Sequence, residues 1–215
     1  VKVFVVDDEN AEEVACEDVA TNVRVVPLVS EEPIGSIRNM ICYGNEIVAL
    51  DNNKKTVYYF EDGKLVSKMN HEGRGRGEYV EIRRYAYSPS RKVVYVLADD
   101  KMLWYSVPQM RYCRNTAISK KINYFSIHGN DHFFAALYSE GKFITALIDI
   151  ETGNITKVLE EITMNNADEG DISMSSYSPS NHYYSLSDYD NSVVEVTAKD
   201  DARTLFKYNF GDKGI

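Results

Sequence analysis

Cysteine is scarce in this sequence of 215 residues: Cys16, Cys42 and Cys113 form an odd set with no CxxC spacing. That pattern indicates neither a disulfide framework nor a zinc knuckle. Each thiol is read as a small core hydrophobe, Cys42 within the apolar run Met40, Ile41, Cys42 and Tyr43. No apolar run reaches the length of about 18 residues that marks a membrane-spanning helix. A signal peptide is also missing; the chain starts directly on a strand pattern at residues 1–6, as expected of a chain trimmed of its leader. Basic charge is in the minority, with 24 Lys and Arg against 33 Asp and Glu and a net charge of −9. Such a chain repels a phosphate backbone, which argues against a nucleic-acid partner. His71, His128, His132 and His182 show no HExxH or other ligand spacing, and no serine stands in a nucleophile elbow.

What the sequence does contain is a period. Tyr87-Ser88-Pro89-Ser90 returns as Tyr177-Ser178-Pro179-Ser180, and halfway copies stand at Tyr43-Gly44-Asn45-Glu46 and His128-Gly129-Asn130-Asp131. Each of these turns is followed by an apolar strand, a polar turn and another strand. Units of roughly 40–50 residues with several strands each are the signature of propeller blades, whose sheets bury their faces against their neighbours. The fold class is therefore an all-β β-propeller, with an N-terminal segment at 1–35 and four blades at 36–70, 71–117, 118–160 and 161–215. Asp62-Gly63 marks a hairpin between the third and fourth strands of the first blade, and Thr152-Gly153 repeats it in the third. Sixteen tyrosines suit the strands. The acidic stretch 7–20 reads as a linker. Residues 22–28 read as a strand stopped by Pro27, placed to pair with the last blade and cover its edge.

The stretch 71–79 carries a glycine-rich loop, Gly73-Arg74-Gly75-Arg76-Gly77-Glu78-Tyr79. A phosphate loop needs a following helix whose amino end faces the anion, whereas the residues after Glu78 have a strand pattern, so a nucleotide site is not supported. Together with Asp62-Gly63-Lys64-Leu65 before it, and with Val25-Val26-Pro27-Leu28 and Ile34-Gly35-Ser36-Ile37 at the opening, the loop resembles the GxGxGEY loop of six-bladed β-propeller proteins abundant in Bacteroidetes. Those are mostly taken as envelope lipoproteins of uncharacterised function, distantly similar to NHL and TolB-type propellers. The resemblance implies a six-bladed fold and a place in the cell envelope, periplasmic or anchored at the outer-membrane surface. Two departures stand out: the lipid-attachment cysteine of the family is missing from the start, and four units are visible instead of six. About 90 further residues, two repeats, are expected beyond this chain, with a closed four-bladed ring as the alternative.

Crossings between blades are expected near the propeller axis, where ligands bind at a channel mouth. There Arg74, Arg76, Glu78, Tyr79 and Arg83, with Arg84 beyond, would make a cationic patch able to fork onto carboxylates. An acidic sugar or an acidic protein segment is the matching ligand; a purely structural role for these arginines is the competing reading. In the crossing before the fourth blade, Asp168, Glu169 and Asp171 offer oxygen ligands on a glycine-containing loop that suit calcium, against a plain solvated acidic loop. His128 and His132 flank a turn containing Asp131, a second place where a metal is conceivable. Three functions follow. The first is a noncatalytic binding or scaffold module of the cell envelope recognising a glycan or protein through its loop face. The second is a hydrolase or lyase acting on sugars or lactones with a metal in the channel. The third is a structural subunit that self-associates through an open blade edge.

Overall fold

The computed structural model describes residues 2–5, 24–98, 100–118, 121–163, 183–187, 192–196 and 202–209. The linker at 7–20, Cys16, His182 and the acidic triad Asp168, Glu169 and Asp171 lie outside the described residues. All regular elements among the described residues are strands, sorted into four four-stranded sheets. The chain divides into two compact units, one of Val1–Val25 with Met164–Ile215 and one of Val26–Thr163.

The second unit holds three sheets of identical strand order. The first is β2 (Ile37–Tyr43), β3 (Glu46–Asp51), β4 (Thr56–Glu61) and β5 (Lys64–Met69). The next is β6 (Arg84–Ser88), β7 (Val93–Ala98), β8 (Lys101–Ser106) and β9 (Arg111–Ala117). The third is β10 (Lys121–His128), β11 (His132–Ser139), β12 (Lys142–Asp149) and β13 (Ile155–Thr163). Each is an antiparallel meander, the blade arrangement expected from the period. The first unit contributes β1 (Lys2–Val5), β14 (Tyr183–Ser187), β15 (Ser192–Val196) and β16 (Ala202–Asn209), in the order β1-β16-β15-β14.

Alternation along the second strands explains how the blades hold together. Side chains of a strand point to opposite faces in turn, and in β7 both sets are apolar. Val94, Val96 and Ala98 pack with Val48, Leu50, Val57, Tyr59, Leu103 and Tyr105 between the first and second blades. Tyr95 and Leu97 pack with Phe125, Phe133, Ala135 and Trp104 between the second and third. A strand covered on both faces reads as an unbroken apolar run, as VVYVLA does. Each such buried side chain contributes about 1.5–3 kcal/mol. The second and third blades meet at their first strands, β6 lying beside β10, which leaves their fourth strands, β9 and β13, on the outer side.

The hairpin signal at Asp62-Gly63 is realised: both residues have positive φ, 50° and 77°, as a tight two-residue hairpin requires. In all four sheets the ladder between third and fourth strands contains a bulge, at Tyr59/Phe60, Trp104/Tyr105, Thr145/Ala146 with Leu147/Ile148, and Val193/Val194. Bulges twist an edge strand and blunt its tendency to pair indiscriminately.

Two expectations are corrected. The described part of this segment, residues 24–28, forms no strand; Val26 and Leu28 pack onto Ile47, Ala49, Tyr58 and Phe60 of the first blade. Pro27 has no N–H to give a ladder, so the segment is held by side-chain burial instead, and only its continuation Val29 bridges Lys64 on β5. The strand that covers the outer edge of β16 is β1, paired in parallel through Lys2↔Phe206 to Val5↔Asn209. The thiols of Cys42 and Cys113 are exposed, not core. Cys113 is the extra residue of the β9 bulge, between Tyr112 and Arg114, and so has no partner across the ladder.

Candidate functional site

The glycine-rich crossing is a closed loop built around one carboxylate and one phenol. The amide of Tyr79 donates to His71 O at 3.0 Å and the amide of Gly73 to Tyr79 O at 3.0 Å, so the two ends of the loop are clipped together. Glu78 folds back inside: Gly75 N donates to its Oε2 at 2.7 Å, and Glu78 N donates to Gly75 O at 3.2 Å. A Cβ at position 73 would stand 2.0 Å from that same Oε2, so glycine is needed there to make room for the carboxylate. Tyr79 is 1% exposed. Its hydroxyl donates to Lys55 O at 3.0 Å and accepts from His71 N at 3.1 Å, tying the loop to the β3–β4 turn. Burial pushes this phenol above its ordinary pKa, partly offset by the His71 amide, so it stays a neutral donor.

The far end of the loop rests on the second blade. Tyr105 Oη donates to Gly77 O at 2.8 Å, and Gly77, at φ 77°, lies flat against the Tyr112 ring. The Arg76 guanidinium is 6.0 Å from the centre of that ring, and Lys55 pairs with Glu72. Tyr105 is on β8 and Tyr112 on β9, the third and fourth strands of their sheet. The loop therefore sits over the outer half of the blade, not at the axis as expected from its role as a crossing.

This splits the proposed patch. Arg74 and Arg76 are exposed at the outer edge, whereas Arg83 is half-buried beside the inner strands: its amide donates to Leu97 O at 3.0 Å and its guanidinium to Ile122 O on β10 at 3.3 Å. Four strands at about 4.8 Å spacing put roughly 14 Å between the two places. Arg84 turns its guanidinium back to Arg83 O at 3.0 Å. Tyr79 is thus an anchor and not a surface contact, because its ring is buried and its hydroxyl engaged. Glu78 is likewise occupied by its own loop. Arg74 and Arg76 are exposed and, among the described residues, have no carboxylate partner. No group of three or more His, Cys, Asp and Glu able to hold a metal ion occurs among the described residues, His128 and His132 included.

The opposite ends of the strands carry polar staples that spacing did not reveal. Glu46, 6% exposed at the start of β3, accepts from Tyr59 Oη, from Tyr87 Oη at 2.8 Å and from Lys92 Nζ at 2.6 Å. Tyr87 and Lys92 come from the next blade. Burial pushes the Glu46 carboxyl up, but the hydrogen bonds from Lys92, Tyr59 and Tyr87 and the Lys92 charge outweigh it and hold it below the ordinary range. Between the second and third blades, Arg91 bridges Asp131 and Glu151, at 2.9 Å each. Arg114 pairs with the same Glu151 and stacks on Trp104 at 3.8 Å. The tetrads that showed the repeat, YGNE, YSPS and HGND, lie at these junctions. A residue identity one blade away decides whether such a Glu is buried and paired, which the period alone does not state.

One signal in the sequence does mark the outer edge of the second blade. The chain has 33 acidic residues, yet residues 101–130 contain none, while Lys101, Arg111, Arg114, Lys120 and Lys121 are basic. That acid-free run covers β8, β9 and β10, and its β9 portion adjoins the loop bearing Arg74 and Arg76.

A family model described as 6-bladed beta-propeller (DUF5128) matches residues 2–215. No curated protein matches the chain. Among solved structures, an exported-protein candidate from Bacteroides fragilis is similar at 14% identity and a TM-score of 0.65, covering 97% of this chain and 60% of that one. A protein of unknown function from Bacteroides thetaiotaomicron is similar at 14% identity and a TM-score of 0.50, covering 81% of this chain and 44% of that one. PorZ, a surface component of the type-IX secretion system of Porphyromonas gingivalis, is similar at 10% identity and a TM-score of 0.50, covering 82% and 22% respectively. The chain thus spans 60% or less of the length of these structures, and the likeness is one of fold.

Proposed function

The chain belongs to the six-bladed β-propeller family DUF5128, and on that premise we propose that it is a noncatalytic binding module of the bacterial cell envelope that takes an acidic ligand, protein or glycan, on its glycine-rich loop. The observation that carries this is that two cations without carboxylate partners stand on a loop whose backbone is fixed by its own hydrogen bonds. Lys55, Lys68, Arg91, Lys92, Arg114 and Lys142 all have carboxylate partners. Arg74 and Arg76 have none among the described residues, as is also true of exposed Arg84 and Arg111, but the loop that bears them is fixed at both ends and in its middle. Two exposed guanidinium groups on a preorganised backbone lose little freedom when a carboxylate arrives, and an arginine fork matches carboxylate geometry. The same loop supports binding better than acid–base chemistry, because its carboxylate Glu78 is held by Gly75 N. The envelope location is supported by the resemblance to exported and surface proteins of Bacteroides and Porphyromonas.

The test is a titration of the full chain with poly-glutamate, with alginate oligosaccharide and with neutral dextran, at low and at physiological salt. At least one acidic probe is expected to bind, more weakly as salt rises, with dextran inert. Arg74→Glu with Arg76→Glu is expected to weaken that binding at least about tenfold, equal to about 1.4 kcal/mol, without lowering the melting temperature. Equal binding by the double variant, or equal binding of dextran, would contradict the reading.

A further inference from the structure

The hairpin ends of the first blade carry a row of side chains that breaks a rule of sheet pairing. Tyr43 on β2 stands opposite Glu46 on β3, Glu46 opposite Glu61 on β4, and Glu61 opposite Lys64 on β5. Directly opposed residues of an antiparallel pair point to one face with their Cβ atoms about 4.5–5.5 Å apart, and like charges placed so destabilise the pair. Glu46 and Glu61 are such a pair. Glu46 also shows which face this is: its partners Tyr87 and Lys92 belong to the second blade, so the row borders the seam between the two blades.

All three donors to Glu46 converge on one oxygen. Tyr59, Tyr87 and Lys92 donate to Oε1, and Oε2 accepts no bond among the described residues. Glu46 is more than nine-tenths buried, yet its Oε2, unlike Oδ2 of Asp51, is not orphaned in the core: it reaches solvent. A carboxylate held in place by three donors and open on its second oxygen is a preorganised acceptor for a ligand. Lys92 spends one N–H on Oε1 and its side chain is half-exposed, so further donors stand beside that acceptor. Tyr43, at the end of the row, is 45% exposed. Glu61 and Lys64 are exposed as well.

Charge decides the class of ligand. Glu46 and Glu61 are balanced by Lys64 and Lys92, so the row favours neither an anion nor a cation. It offers fixed acceptors, ammonium donors and an aromatic ring side by side, which suit a neutral ligand with hydroxyls on its rim and an apolar face. A sugar ring is that ligand. In a galactose-type pyranose the axial O4 leaves the hydrogens of C3, C4 and C5 on one side, a patch for an aromatic ring; in a glucose-type pyranose they are divided between the two sides.

We propose that Tyr43, Glu46, Glu61 and Lys92 form a site for a single neutral pyranose of the galactose type. Its apolar face lies on the Tyr43 ring, adjacent hydroxyls are shared between Glu46 Oε2 and Lys92 Nζ, and Glu61 accepts from a further hydroxyl. The site is separate from Arg74 and Arg76, because the loop that bears them is tied to the β3–β4 turn, at the other end of β3 from Glu46.

The probe is methyl β-galactoside, added to the full chain and followed by its amide signals, with methyl β-glucoside as the comparison. For a ligand of this size the galactoside is expected to bind with a dissociation constant of about 1 mM, and the glucoside at least about fivefold more weakly. The amides of residues 43–46 are expected to shift and those of 73–79 to stay. Glu61→Gln, at an exposed position, is expected to weaken binding about threefold, and Tyr43→Ser at least about tenfold. Saturating poly-glutamate is expected to leave galactoside binding unchanged; competition would overturn the separation of the two sites. No shift of the 43–46 amides at about 50 mM galactoside would overturn the site itself. Equal binding of the two sugars would overturn the stacked apolar face, and wild-type affinity in both variants would place the sugar elsewhere on the chain.

Discussion

Gly77→Val is expected to be the most damaging single change in the glycine-rich loop. Gly77 has φ of 77°, a region that costs a β-branched residue at least about 1–2 kcal/mol. A Cβ there would stand 2.5 Å from Cγ of Tyr112, and the ring cannot retreat freely because it packs edge-on against Tyr105, with centroids 6.0 Å apart. Tyr105 is itself fully buried and donates to the carbonyl of Gly77. Overpacking of this kind adds about 1–3 kcal/mol. A total near 3 kcal/mol corresponds to a fall of about 6–12 °C in melting temperature for a chain of this size. Arg76→Ala, one residue away and exposed, is expected to change it by less than about 2 °C. Calorimetry of the two variants checks this; a Gly77→Val protein that melts with the wild type would show that the loop does not lie on Tyr112.

Glu46→Ala is expected to cost a similar amount through a different mechanism. The carboxylate is the shared acceptor for two phenols that are themselves 2% and 4% exposed, Tyr59 and Tyr87. Removing it leaves the two buried hydroxyls with only each other, so at least one donor loses its acceptor, at about 1–3 kcal/mol, and the charge-assisted bonds are lost as well. It also frees Lys92, whose end is exposed enough to find water. Glu46→Gln keeps an acceptor oxygen and is expected to cost less than half as much. The pair also separates in pH dependence. The Glu46 carboxyl titrates below its ordinary value in the fold, so the folded protein binds fewer protons there than the unfolded chain. Its contribution is complete above the unfolded value of about 4.3 and is lost as pH falls through the lower folded value. Melting temperatures measured from about pH 7 down to about pH 3 are expected to fall more steeply for the wild type than for Glu46→Gln. Parallel curves would show that the carboxyl is not held ionised by its partners.

The repeat made the blades legible because it depends on composition at a fixed distance, and strand alternation is a local property. The bulges, the parallel addition of β1 and the seating of Val26 and Leu28 were not legible, since they depend on which segments meet across long separations. Residues 22–28 show the difference: their apolar alternation suits a strand equally well as a side-chain plug, and only Pro27 hinted at the second. At the loop, the types of residue were informative and their positions were not. GRGRGE announced glycine freedom and positive charge, but a crossing runs from an outer strand to an inner one, and nothing local tells where along that path it folds. Tyr79 and Glu78 looked like ligand contacts because they are chemically equipped to be; the structure spends them on holding the loop. The charge gap at 101–130 was readable in the sequence, and it marks the edge where Arg74 and Arg76 lie.

The claim on which the rest depends is that the glycine-rich loop is a fixed frame displaying two free arginines. Amide hydrogen exchange of the full chain, resolved by residue, tests it directly. The amides of Gly73, Gly75, Glu78 and Tyr79 have acceptors within the loop and are expected to exchange slowly, while those of Arg74 and Arg76 exchange at the rate of an open chain. Fast exchange throughout 73–79 would contradict the account, because arginines on an unfixed loop would have no preorganised geometry to offer a ligand.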